Sequence, residues 1–391
     1  MHRRGAGEDR QHAHPDGHPE PPQPTRGKTE TKRLRIGRRV NRVKKIASEL
    51  QLKVNCSGLV MKVIDQLFDG ITATKIDELT AEQSASLSTT HPDYTKLASA
   101  LVISNLHKKV IDIVGKKNFL INEKEKTPYT SGWRTKPGEC EFVVLPDSLS
   151  NMWAVLKLCV ENNKYILMQA ANTSLTGGST PNGKYDQGLV IINTTKLKTI
   201  IPIKKGNQVL AFPGSTLYDL EKKVKPYNRA PHSEIGSSCI GASVVGGVCN
   251  NSGGALIKRG PAYTELSLFA SVNNKGKLEL HNKLGVELGN SPEDILKNLD
   301  NSNFSEENIK NSNFKASSTD YKSIIKDTNA DSPARYNADK RRLYDASGCS
   351  GKLAVFAVRL DTFEKENEEK TIYYSTNNAK DLTRLRKKII N

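Results

Sequence analysis

No apolar run approaches the roughly 18 residues that a membrane-spanning helix needs, so no transmembrane segment is expected. The N-terminus carries no apolar stretch behind its basic residues, and a secretory signal is not expected. The six cysteines (56, 140, 159, 239, 249, 349) contain no C-x-x-C pair. Their scatter argues against a zinc site or a disulfide framework, and for reduced thiols in a cytosolic setting. No strand–G-x-G-x-x-G–helix unit occurs, which removes NAD as the main cofactor. The net charge of +17 comes with neither a recognised nucleic-acid module nor an aromatic platform, so nucleic acid is not an expected partner. A basic surface facing anionic lipid headgroups fits the charge better.

The charge is lopsided. Residues 1–46 hold 13 Lys/Arg against 5 Asp/Glu, about half of the total excess. Segment 1–43 is rich in Arg, His and Pro and lacks apolar periodicity, so it is expected to be disordered. His2, His12, His14 and His18 sit among prolines without ligand spacing, and no metal is expected. From residue 44 helical periodicity begins. Val60, Val63, Ile64, Leu67 and Phe68 share one face of a helix that Asp69-Gly70 would end. Thr74 is the expected cap of a second helix, with Asp77 and Glu78 in its first turn. A third would bury Tyr94, Leu97, Ala98, Leu101 and Val102.

Beyond residue 110 the grammar changes to alternating strands and helices, an α+β or α/β pattern. "CEFVVLP", "YILMQ", "GLVIINTTKL" and "QVLAFPGS" read as strands. Ser148 caps a helix whose apolar face is Leu149, Met152, Val155, Leu156, Cys159 and Val160. "TLYDLEKKVKP" is a second helix. Residues 301–332 read as a mobile surface excursion, and the end, "TIYYSTNNAKDLTRLRKKIIN", as a strand and a basic helix. Two stretches rich in Gly, Ser and Asn stand out: "QAANTSLTGGSTPNG" and "IGSSCIGASVVGGVCNNSGGALIKRGPAYTE". Each is either a tight turn or an anion-binding nest, in which consecutive backbone N–H groups approach a phosphate and glycine permits the close contact.

Two resemblances organise these readings. "MKVIDQLFDGIT", "LTAEQSASLSTTHPDY" and "LASALVISNLHK" resemble the later part of the ATP-cone of ribonucleotide reductase large subunits, over residues 44–108. The family's phosphate-binding hairpin is replaced by "TETKRLRIGRRVNRVKKI", Ala73 stands where the family has threonine, and Lys108 matches a basic position. From residue 110 onward, "FVVLPDSL", "ILMQAANTSLTGGSTPNG", "PHSEIGSSCIGASVVGGVCNNSGGALIKRGPAYTE", "SPARYNAD" and "SGCSGKLAVFAVRLDTF" resemble the FAD-binding half of the quinone-dependent D-lactate dehydrogenases of bacteria, within the vanillyl-alcohol oxidase and p-cresol methylhydroxylase superfamily.

This resemblance implies an α+β, two-subdomain FAD-binding domain of p-cresol methylhydroxylase type over 110–375, behind an all-helical ATP-cone-like unit, with 376–391 as the start of a truncated cap. It implies FAD held by Ala170, Ala171, Asn172, Thr173, Ser174, Gly178 and Ser179, and by Gly236, Ser243, Gly253 and Val355. Ser174 replaces a customary glycine and requires a negative φ. The implied reaction oxidises D-lactate and passes electrons to quinone, in an enzyme that is cytoplasmic or peripheral on the inner membrane. Glycolate as substrate and a non-catalytic chimera are the competing readings. Lys258, Arg259, Tyr263 and Glu265 fall near the expected flavin, as carboxylate or flavin partners or as a solvated charge cluster. His232 and Cys239 are the nearest groups for covalent flavin attachment, which is not expected. No catalytic acid or base is assigned.

Overall fold

Four helices precede the first strand: α1 (Arg26–Glu49), α2 (Cys56–Ile64), α3 (Ala73–Ser86) and α4 (Asp93–Val114). This computed structural model describes residues 26–390 except 69, 234–236, 312, 335, 337, 338 and 369, and the side chains of 26–36 and 39 are outside the description. The chain divides into two units, Met1–Asn105 and Leu106–Asn391, with the division inside α4.

In the first unit Val43, Ala47, Leu59, Ala81, Tyr94, Leu97 and Leu101 form the core. Residues 26–43, expected to be disordered, belong to α1; residues 1–25 lie outside the described set. Two interactions explain the helix. Val43 and Ala47 are buried one turn apart, and Arg42 pairs with the buried Asp77 (3.3 Å) while donating to Ser104 Oγ (2.8 Å) and Asn105 Oδ1 (2.6 Å). Helix α2 stops at Ile64, short of Asp69-Gly70, because Gln66 and Leu67 turn back with i to i−3 bonds to Val63 and Ile64 (3.1 and 3.0 Å). Phe68 is therefore left 63% exposed. The cap of α3 is Thr72 rather than Thr74: its Oγ1 accepts from Lys75 N, and Thr74 already lies inside the helix. Val102 is exposed because it sits about 100° around α4 from the buried stripe of Tyr94, Leu97 and Leu101.

The second unit runs β1 (Phe119–Leu120), α5 (Glu123–Thr130), β2 (Phe142–Val144), α6 (Leu149–Glu161), β3 (Tyr165–Gln169), β4 (Leu189–Asn193), β5 (Ile200–Ile203), β6 (Gln208–Ala211) and α7 (Leu217–Val224). It continues through β7 (Arg229–Ala230), α8 (Val244–Cys249), β8 (Ser267–Val272), β9 (Leu278–Asn282), α9 (Pro292–Asp300), α10 (Tyr321–Ile324), β10 (Ala354–Asp361), β11 (Phe363–Glu364) and α11 (Ala379–Ile390). Two main sheets result, β1-β2-β4-β3 and the antiparallel β5-β6-β10-β8-β9. In the first, β2, β4 and β3 are parallel; β2 and β4 are buried throughout, which matches their unbroken apolar runs, while β3 is exposed at Tyr165 and fully buried only at Gln169. Ser148 caps α6 as expected, and Leu149, Met152, Val155, Leu156 and Cys159 are buried there with Trp153. One core joins α6, α9, the first sheet and a face of the second; the other face of the second sheet packs on α7 and α8. A bulge at Phe356 lets β10 serve both: Phe356 and Ala357 point into the first core, Val355 and Val358 into the other.

Two other expectations differ. Residues 301–332 are not a bare surface excursion, since Ala316, Tyr321 and Ile325 are buried and Tyr321 lies under the Arg342 guanidinium (4.9 Å). The stretch "TIYY" forms no strand: no neighbour pairs with it, and Ile372 and Tyr373 are 84% and 94% exposed. The basic helix after it is present as α11.

Candidate functional site: an uncharged cleft at the ends of parallel strands

Gln169 and Asn193 end β3 and β4 side by side in register. In open parallel sheets the crevice beyond the carboxyl ends of the strands is where ligands bind. Both amides are buried and tied together. Asn193 Nδ2 donates to Gln169 Oε1 (2.9 Å) and to Ala170 O (3.0 Å), and Gln169 Nε2 donates to Tyr129 O (2.8 Å) and Ser179 O (2.6 Å). This clamp holds both ends of the loop 170–179. Asn172, at φ +54°, anchors its middle: its Nδ2 donates to Ser131 O (2.8 Å) and its Oδ1 accepts from Ser179 Oγ (2.7 Å). Ser174 is not in the left-handed region, so serine is tolerated there. Its Oγ accepts from Thr176 N at 3.3 Å.

The opposite wall begins at the turn after β6. Gly214 there approaches so closely that a Cβ would lie 2.0 Å from Thr194 O. From this turn Ser215 O accepts from Val244 N (2.9 Å), and Leu217 N donates to Ala242 O (3.0 Å), which fixes the start of α8. Ser243 caps that helix, accepting from Gly246 N at 3.0 Å. Between the walls lies a cleft of about 550 Å³. Ala170, Ala171, Asn172, Thr173, Ser174, Gly178 and Ser179 line one side; Ser243, Gly253 and Val355 line the other. Gly236 lies outside the described residues.

The cleft's composition limits its chemistry. Among its described lining residues there is no Lys, Arg, His, Asp or Glu. Hydroxyls, amides and backbone dominate, with Met168, Leu175, Val245, Leu353 and Val355 as apolar surface. Such a site can hold an anion through neutral donors and a flat apolar group against its aliphatic side chains. Its described lining presents no carboxylate or imidazole for proton transfer, so the part these residues can play is to hold and orient a bound group. Gly178 supports the fit: a Cβ there meets nothing within 4 Å, so any larger side chain would stand in the cleft.

The charged cluster expected nearby is not brought to the cleft. Lys258, Arg259, Tyr263 and Glu265 are absent from its described lining. Tyr263 donates to Glu265 Oε1 (2.8 Å), and burial followed by that carboxylate raises its pKa. Arg259 donates to Pro231 O (2.6 Å) and stacks on Phe363 (4.6 Å). His232 is buried outside the cleft with neither ring nitrogen hydrogen-bonded; desolvation first, and Arg259 second, hold its pKa down at about 4. Cys239 is exposed and also outside the lining. Sequence reasoning missed the Gln169–Asn193 clamp, Thr194, Cys249 and the Ser350-Gly351 turn. The available signal was that the apolar runs "YILMQ" and "LVIIN" both end on an amide.

Residues 140–279 match the FAD binding domain family. The matched residues supply β2 to β4, the 170–179 loop and α8, hence most of both walls; Ser350, Gly351, Leu353 and Val355 come from beyond them. The quinone-dependent D-lactate dehydrogenase of Escherichia coli (strain K12) is 53% identical over 279 residues, which are 71% of this chain and 49% of that protein. The chain thus spans about half the length of this curated relative. At the N-terminus, the ribonucleoside-diphosphate reductase large subunit of Caenorhabditis elegans is 40% identical over 70 residues, 18% of this chain and 9% of that protein. Among solved structures, p-cresol methylhydroxylase with substrate bound is similar at 16% identity over 68% of this chain and 44% of that one, with a TM-score of 0.41. The chain therefore resembles two unrelated enzymes in succession. No helix among the described residues is long and apolar enough to cross a membrane.

Proposed function

We propose that the second unit binds FAD and belongs to a flavoprotein that oxidises D-lactate to pyruvate and passes the electrons to a quinone. The observation that carries this reading is the uncharged, donor-rich cleft inside an FAD binding domain. Bound FAD would supply the redox chemistry, accepting the hydride from the substrate. The protein's own part is to hold and orient it. Backbone N–H groups and side chains of Ala170–Ser174, Gly178 and Ser179 would hold its pyrophosphate, with Ser243, Gly253 and Val355 lining the wall facing them. Val355 and Leu353 exclude water from the apolar portion.

No described residue of the cleft is a cation suited to clamp a lactate carboxylate, so turnover by this chain is expected to be slow. The 53% identity to a D-lactate dehydrogenase favours lactate over glycolate. The basic excess of +17 and the exposed Leu382 and Ile389 among the lysines and arginines of α11 favour contact with an anionic membrane surface on the cytoplasmic side. Residues 44–108 are read as an ATP-cone-like unit without a working nucleotide site, and 376–391 as the beginning of a cap.

The test is anaerobic reduction. FAD-loaded protein is mixed with D-lactate, L-lactate or glycolate, and the visible flavin band is followed. Slow bleaching with D-lactate ahead of the other two supports the proposal. Bleaching by glycolate alone reassigns the substrate, and retention of oxidised FAD with all three removes the dehydrogenase reading.

A further inference from the structure

Cys249 and Cys349 are far apart in sequence and adjacent in space. Gly348 N donates to Val248 O (3.0 Å) and Ser350 N to Cys249 O (2.9 Å), so the backbone bonds on either side of Cys349 both run to the end of α8. Cys249 packs against the core cluster that holds the buried Cys349, and both thiols are free. Cys249 lines the cleft, as do Ser350 and Gly351 beside Cys349. We propose that Cys249 and Cys349 are a peroxide-responsive dithiol that closes into a disulfide on the wall of the cleft.

Reactivity follows from the thiolate. The Cys249 thiol first, and the backbone donors next, hold the Cys349 thiol below its ordinary range against the opposing effect of burial. Cys249 itself is shifted upward, by the Cys349 side chain first and by burial second. The other buried thiols are disfavoured: desolvation pushes Cys140 to about 11 and Cys159 to about 12. Cys349 as a residue is 8% exposed and is followed directly by the cleft-lining Ser350 and Gly351, which gives a molecule as small as hydrogen peroxide its route of approach. The Cys349 thiolate attacks one peroxide oxygen. An S–O bond forms, the O–O bond breaks, and hydroxide leaves to become water. The Cys249 sulfur then displaces oxygen from the resulting sulfenic acid, forming the S–S bond and releasing a second water with the Cys249 proton. Two thiols and one peroxide give one disulfide and two waters. The proposal does not depend on FAD occupying the cleft, because closure is read in the cysteines themselves.

The experiment exposes the purified full chain to one equivalent of hydrogen peroxide, alkylates it, and maps tryptic peptides without reduction. The expected product has lost two of six thiols and joins peptide 230–258 to peptide 343–352 in a link that dithiothreitol reverses. Peptide 230–258 also contains the exposed Cys239, so the same map is run on Cys239→Ser, which keeps the proposed pair intact. The link should persist in that variant. Its loss in Cys239→Ser, oxidation of Cys349 to a sulfinic acid without a cross-link, or unchanged thiols at Cys249 and Cys349 would each overturn the proposal.

Discussion

A tryptophan at position 178 should abolish FAD uptake while leaving the fold intact. The Cβ direction at Gly178 is open for 4 Å, and its φ lies outside the left-handed region, so the side chain starts in open space without backbone strain. The indole would instead stand in the cleft of about 550 Å³, over the loop proposed to hold the pyrophosphate. Losing two charge-assisted hydrogen bonds at about 1.5–3 kcal/mol each costs about 3–6 kcal/mol, or roughly 10²–10⁴-fold in Kd. Gly178→Ala adds one methyl group and should weaken binding far less. Titration of flavin-free protein with FAD, followed by flavin fluorescence, gives the affinities. Circular dichroism and the urea midpoint verify folding. A folded Gly178→Trp protein with wild-type FAD affinity would refute the placement of the pyrophosphate.

Gly214→Ala should fail in the opposite way. Its Cβ would lie 2.0 Å from a backbone oxygen that cannot rotate aside, so a stability loss of about 1–3 kcal/mol is expected in urea denaturation. His232 sets a pH dependence. Its folded pKa is about 4 against about 6.5 unfolded, so the unfolded chain takes up the proton first as pH falls. Its contribution is full above about pH 6.5 and is lost toward pH 4, by up to about 3 kcal/mol. His232→Gln should flatten that slope in urea midpoints measured across the range. Calorimetric titration of the chain with ATP and dATP should show no micromolar Kd, which would correspond to a binding free energy of roughly −8 kcal/mol; an isotherm that fits a micromolar Kd would restore the nucleotide site to the first unit.

Local chemistry was legible where one residue type decided the outcome. Ser148 had to cap α6, and the apolar runs ending at Gln169 and Asn193 had to be strands, of which β4 is buried throughout and β3 only at its end. Ten of the eleven residues expected at the flavin line one cleft, and the eleventh, Gly236, is outside the described residues. The rest depended on partners distant in sequence. The helix over 26–43 gains its reason from Asp77 and Asn105, which hold Arg42. The amides at 169 and 193 looked like ordinary strand ends until the parallel register placed them together. Arg259 and Tyr263 stood close in sequence to the glycine-rich stretch, yet Pro231, Phe363 and Glu265 direct them elsewhere. "TIYY" has strand propensity but pairs with no strand among the described residues.

The central claim is that the uncharged cleft holds one FAD. Purified protein, reconstituted with excess FAD and freed of unbound flavin by gel filtration, is denatured in acid, and the released flavin is measured against protein. The account predicts close to one FAD per chain, released without covalent remainder, together with a thermal shift corresponding to about 2.7 kcal/mol at a hundredfold excess over Kd. A well-folded, colourless protein that retains no flavin after reconstitution would contradict it.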